Sequence, residues 1–173
     1  MQEGTVTRVA GFHDHYGPDY QKIQRLAGSL STSFSLHGFE MIEVPLVEGL
    51  DLYLRKNGAQ VLSRLYSFID PDRREVALRP EYTASVIRAL AAELDNADQP
   101  RRVCYAGPVF RNAPGQQEEP RQFTQAGIEI LGDRSVVADA EVLALACRAA
   151  LNAGLPDVRL VVGHLGPLRT LLT

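Results

Sequence analysis

Two strand-like stretches, 102–110 and 121–131, flank a polar connection, Asn112 to Pro120, that carries two prolines and a glycine. The first, Arg102-Val103-Cys104-Tyr105-Ala106-Gly107-Pro108-Val109-Phe110, reads as a strand bent at Gly107-Pro108. The second, Arg121 to Leu131, alternates residue types with period two. Strand, polar loop, strand predicts an antiparallel hairpin with a connection of functional size. A hairpin of this length needs cover on its apolar surface, so the rest of the chain has to supply the layers.

The flanking segments supply them. Pro18 is placed to open a helix, and Ile23, Leu26, Leu30, Ser33, Phe34 and His37 follow at helical spacing until Gly38. Glu40-Met41-Ile42-Glu43-Val44 alternates and stops at Pro45, which cannot donate in a ladder, so it predicts a strand leaving a sheet there. Residues 46–65 are mixed, with a short helix expected near Asp51–Leu54. Tyr66–Ile69 and Glu75–Leu78 flank Asp70-Pro71-Asp72-Arg73, a tight-turn composition, and predict a second hairpin. A helix is expected from Glu81 to Leu94, with Pro80 at its start. Another runs from Ser135 to Gly154, and Val158–Val162 follows as a final strand. The order predicts an α+β fold, a mostly antiparallel sheet flanked by helices, in one domain over 1–173.

Composition narrows the function classes. With 45% hydrophobic and 23% charged residues the chain is ordinary for a globular protein, and no apolar stretch approaches the roughly 20 residues of a membrane span. The first residues form neither a basic-then-apolar leader nor a cleavage site, so a cytoplasmic protein with no membrane association is expected. Cys104 and Cys147 are expected as core thiols, and His13, His15, His37 and His164 form no zinc-type cluster, so no metal is expected. A net charge of -3 argues against an extensive nucleic-acid surface.

Two groups of residues carry chemistry. In Leu78-Arg79-Pro80-Glu81-Tyr82-Thr83-Ala84, Glu81 and Thr83 project from a helix mouth, where a carboxylate captures an ammonium group and a hydroxyl assists. The plainer alternative is that both only satisfy first-turn backbone donors. On the second long strand, Arg121, Phe123, Gln125, Gly127 and Glu129 share one side. An aromatic ring among hydrogen-bonding groups, with a glycine leaving room, suits a small polar ligand containing a ring. Glu129 can take an imidazole N–H, Gln125 can orient an amine or a ring, and Arg111 can hold a carboxylate or phosphate. An exposed face with incidental ion pairs is the alternative on period alone.

The ordered set Leu-Arg-Pro-Glu-Tyr-Thr-Ala (78–84), the run 102–111, the run 121–132 and an alanine-rich helix resembles the histidyl-tRNA synthetases and their non-synthetase relative, the regulatory subunit of ATP phosphoribosyltransferase. The unit ending at Pro45 resembles class II motif 1, and 102–132 resembles motif 2. The resemblance implies a class II aminoacyl-tRNA synthetase-like core, here ending before motif 3, and a homodimer through the first helix and strand. It assigns histidine binding to Glu81, Thr83, Arg111, Gln125 and Glu129. The departures concern ATP. Where synthetases continue Phe-Arg-x-Glu-Arg-Pro and place an arginine late in the loop, this chain has Ala113, Pro114 and Glu119, and only Arg121 and Phe123 remain of that cradle. Each lost charge-assisted contact weakens binding by about 1.5–3 kcal/mol.

Those departures, with Val162-Gly163-His164-Leu165-Gly166, make the regulatory subunit the expected role: no catalytic residue, no cofactor, histidine as ligand and the short-form ATP phosphoribosyltransferase catalytic subunit as partner. The alternative is a divergent histidine-tRNA ligase using Mg-ATP and tRNA. A stand-alone amino-acid-binding paralogue is a third reading.

Overall fold

The computed structural model describes residues 6–57, 59–94, 99–115 and 119–163. The chain divides into two compact units, Met1–Arg134 and Ser135–Thr173.

The first unit is built on the hairpin of β5 (Arg101–Phe110) and β6 (Gln122–Leu131). Ten register pairs run unbroken from Arg101↔Leu131 to Phe110↔Gln122, so the expected bend at Gly107-Pro108 does not interrupt the ladder. Pro108 is tolerated because β1 (Glu40–Met41) pairs only with Val103 and Cys104, so no ladder strand calls on the missing N–H of Pro108. Here β1 differs from the expectation. It has two ladder residues rather than five, extended by the Ile42 N–H donating to the Cys104 carbonyl at 2.9 Å, and it lies parallel to β5.

A second antiparallel sheet has the order β2 (Val47–Gly49), β4 (Glu75–Leu78), β3 (Ser67–Ile69). The β3–β4 hairpin is the expected one. The Asp70 carboxylate accepts from the Arg74 N–H at 2.8 Å, and Arg73 takes φ 61° to close the turn. The mixed region 46–65 resolves into β2, helix α2 (Leu50–Asn57) and a 3-10 helix (Ala59–Arg64).

Helix α1 (Gly17–Leu36) carries Pro18 in its first turn, and its closing turns are completed by His37 and Gly38. Phe34 is its buried residue, whereas Tyr20, Leu26 and Leu36 are exposed. Helix α3 (Thr83–Leu94) contributes to two cores. Val86 and Leu90 pack with Val103, Tyr105 and Val109 of β5, and Ala84 packs with Leu50, Tyr53, Leu65 and Ala77. It begins at Thr83, not at Pro80, because Tyr82 turns its ring inward and its carbonyl accepts the first helical bond from Val86 at 2.9 Å.

Three phenols are sealed in these cores. Tyr53 is pushed up to about 12 by burial, and burial also raises Tyr82 and Tyr105. Unfolded phenols lose their protons near pH 10 while these stay protonated, so folding stability is full below pH 10 and is lost as pH rises from about 10 towards 12. Urea midpoints should therefore be flat from pH 8 to pH 9.5 and fall steadily above it.

In the second unit, α4 (Val136–Asn152) is capped by Ser135, whose hydroxyl accepts from the Ala138 N–H at 3.2 Å. The expected strand Val158–Val162 is absent: the segment has no ladder partner among the described residues, and Leu160, Val161 and Val162 are exposed. His164, with the rest of 164–173, lies outside the described residues, as do 116–118 of the long loop. Among the described residues no helix is long and apolar enough to cross a membrane.

Candidate functional site

The alternation of β6 places its odd-numbered residues against β5 and the mouth of α3. Register pairs Val103↔Glu129, Tyr105↔Gly127, Gly107↔Gln125 and Val109↔Phe123 share that face. Its centre is a hydrogen-bonded cluster. The Thr83 hydroxyl donates to Glu129 Oε1 at 2.7 Å, and the Tyr105 hydroxyl donates to the same oxygen at 3.3 Å. Gln125 turns its carbonyl oxygen to the Tyr82 N–H at 3.3 Å, which orients its amide. Glu81 Oε1 accepts from the Ala84 N–H at 3.1 Å, so Glu81 does satisfy a first-turn donor, whereas Thr83 reaches across to the strand.

The floor of this face was not legible in the pattern. Tyr82 and Tyr105 stack in parallel, with centroids 4.2 Å apart and 3° between planes. Fully buried Arg79 lies 3.9 Å from the Tyr82 ring centroid and donates to its hydroxyl. Gly127, expected to leave room for a ligand, instead makes room for Tyr105. A Cβ there would stand 2.5 Å from the Tyr105 hydroxyl and 2.7 Å from its Cζ. The signal was a glycine directly opposite a tyrosine, but it needs the register to be known. Gly127→Ala should cost about 1–3 kcal/mol, because the stacked ring has nowhere to move, and should separate Tyr105 from Glu129. A urea melt and the near-ultraviolet tyrosine signal check both effects.

At the far end of the face stand the two arginines. Arg111 Nε donates to the Pro80 carbonyl at 2.9 Å, and its guanidinium lies 5.0 Å from the Phe123 ring centroid. The Arg121 carbonyl accepts from the Arg111 N–H at 2.8 Å, which holds the strand ends together. Arg121 reaches the Tyr66 hydroxyl at 3.4 Å, and its Nε is buried without a hydrogen-bond partner among the described residues. Gly11, at φ 79°, lets the N-terminal segment cross this side chain, since a Cβ would come within 2.6 Å of Arg121 Cγ. The start of the loop is pinned elsewhere: Asn112 donates to the carbonyls of Ser63 and Arg64.

The structure thus joins Thr83 to Glu129, ties Gln125 to the Tyr82 N–H just before α3, and gathers Arg111, Arg121 and Phe123 at the other end. Acidic groups at one end and guanidinium groups at the other suit a small zwitterion laid along the strand. The opposite face of β6 opens elsewhere. Gln122, Thr124 and Ala126 line a groove of about 790 Å³ with α1, and His13 and His15 stand along it.

A short helix–strand–proline unit, an antiparallel hairpin and an acidic cluster at a helix mouth define a class II aminoacyl-tRNA synthetase-like core. The pattern of the family described as histidyl-tRNA synthetase matches residues 11–173, and the chain belongs to that family. A histidine–tRNA ligase of Sulfurisphaera tokodaii is 33% identical over 165 residues, covering 95% of this chain and 39% of that protein. An ATP phosphoribosyltransferase regulatory subunit of Bacillus licheniformis is 34% identical over 161 residues, covering 93% of this chain and 41% of that protein. The chain thus spans about two fifths of the curated relatives it matches. The crystal structure of an ATP phosphoribosyltransferase regulatory subunit/histidyl-tRNA synthetase from Bacillus halodurans superposes with a TM-score of 0.84 at 29% identity, covering 99% of this chain and 44% of that one.

Proposed function

We propose that the chain is the front part of a histidine-sensing regulatory subunit of ATP phosphoribosyltransferase, acting on the first step of histidine biosynthesis without aminoacylation of its own. The observation that carries this reading is the assembled Thr83–Glu129–Tyr105 cluster on a hairpin whose connecting loop bears Ala113, Pro114 and Glu119. The acidic end receives the ammonium or imidazole N–H of histidine, and Arg111 receives its carboxylate. Glu119 places negative charge in the loop expected to carry an arginine for the triphosphate, which turns attraction into repulsion. The partner is the short-form catalytic subunit, and histidine inhibits only by binding the inhibited state of the complex more tightly. The exposed Tyr20, Leu26, Leu36 and Met41 support a homodimer through α1 and β1.

A divergent histidine-tRNA ligase is the second reading, favoured by a ligase relative at nearly the same identity as the regulatory subunit. Calorimetric titration of the full-length protein separates the two. Histidine uptake without Mg-ATP uptake supports the sensor. Tight binding of both, with histidine-dependent ATP–pyrophosphate exchange, returns the protein to the ligases.

A further inference from the structure

Tyr82 offers the pocket its N–H, while its fully buried ring belongs to the floor beneath. Its ring lies between the Arg79 guanidinium and the Tyr105 ring, and its N–H holds Gln125. Arg79 is completely buried beneath this floor. It donates to the Pro108 carbonyl at 2.9 Å, to the Val44 carbonyl, to the Tyr82 hydroxyl and to Glu43 Oε1 at 3.1 Å. Gly107 is required at this point, because a Cβ there would run into the Tyr82 hydroxyl and come within 3.1 Å of Arg79 Nη2.

The ion pair has unequal partners. The Arg79 side chain is 0% exposed while that of Glu43 is 73% exposed, so the carboxylate paired with this buried cation among the described residues reaches it from solvent. Glu43 stands just beyond β1, two residues before Pro45. From it the contacts run without a gap: Glu43 to Arg79, Arg79 to Tyr82, Tyr82 to Gln125 by its N–H and to Tyr105 by stacking, and Tyr105 to Glu129.

The geometry points to Arg79 as the positioning residue of the amino-acid pocket, with Glu43 as the exposed counter-ion that sets how firmly Arg79 holds Tyr82. This rests on the histidine-binding reading above and adds the means by which that pocket is controlled.

The test uses Glu43→Gln in the full-length protein, since an exposed glutamine preserves the fold and the acceptor oxygen but removes the charge. Histidine affinity should fall at least about fivefold, the lower end of ordinary site coupling, while the melting temperature stays within about a degree. In a Tyr82→Phe background, which removes the hydroxyl that Arg79 grips, the same substitution should have less than half that effect. The phenolate absorbance of the single Glu43→Gln variant should also shift to lower pH, since Glu43 opposes ionisation of Tyr82. Wild-type protein that binds histidine while Glu43→Gln binds it equally well overturns this inference alone. Equal losses in both backgrounds overturn it too, by showing that Glu43 acts elsewhere. Wild-type protein that takes up no histidine overturns the functional reading, and this inference with it.

Discussion

Arg79→Ala should lower the unfolding free energy by about 4 kcal/mol, a large part of the roughly 5–15 kcal/mol available to a domain. The side chain is wholly buried and bridges three parts of the first unit: the 43–44 segment, Pro108 in β5 and Tyr82 before α3. Alanine removes the donor from two carbonyls and a phenol, each costing about 1–3 kcal/mol when left unsatisfied, and opens a void beside the stacked tyrosines. Loss of the Glu43 pairing adds little, because that carboxylate is mostly in water. Lysine restores less than half of the loss, since a point ammonium cannot reproduce the planar fork. Urea unfolding by tyrosine fluorescence measures both, and a loss below about 1 kcal/mol for the alanine variant would show that Arg79 does not hold these three parts together.

Glu129→Gln should weaken histidine binding about 10- to 100-fold with little change in stability, the range expected when a charge-assisted hydrogen bond becomes a neutral one. The amide keeps an oxygen for the Thr83 and Tyr105 hydroxyls, so the cluster stays assembled and the loss reports the missing charge. Calorimetry on the full-length protein reads it. Retained affinity would place the ligand elsewhere on the strand, and histidine inhibition of the complex unchanged in Glu129→Ala would end the sensor reading.

The hairpin at 102–131 was legible because alternation and a polar connection are local properties of the chain, and its register then sets which residues face α3. The side of β6 bearing Phe123, Gln125 and Glu129 follows from that alternation alone. What escaped depends on distant partners. Glu48 looks like a surface residue, yet it is buried beside Arg88 at 2.7 Å, so β2 gave no apolar pattern to read. Arg79 is a cation just ahead of the helix mouth, and its burial is made tolerable by three distant acceptors, on Glu43, Val44 and Pro108, together with the nearby Tyr82 hydroxyl. Gly127 was read as space because its neighbour Tyr105 arrives from another strand. Val158–Val162 departs the other way, since an apolar run forms a strand only where it meets a ladder partner, and it meets none among the described residues.

The pairing of β1 with β5 also sets a schedule for synthesis. Met41 and Cys104 are separated by 63 positions along the chain, so the edge that receives β1 is not made until long after β1 itself. At about 5–20 residues per second, the ribosome takes roughly 3–13 s to extend the chain that far. For that interval Ile42 and Val44 have no β5 to cover them. The nascent protein therefore passes through a window in which chaperone capture competes with folding, and slowing translation between residues 45 and 104 would lengthen it.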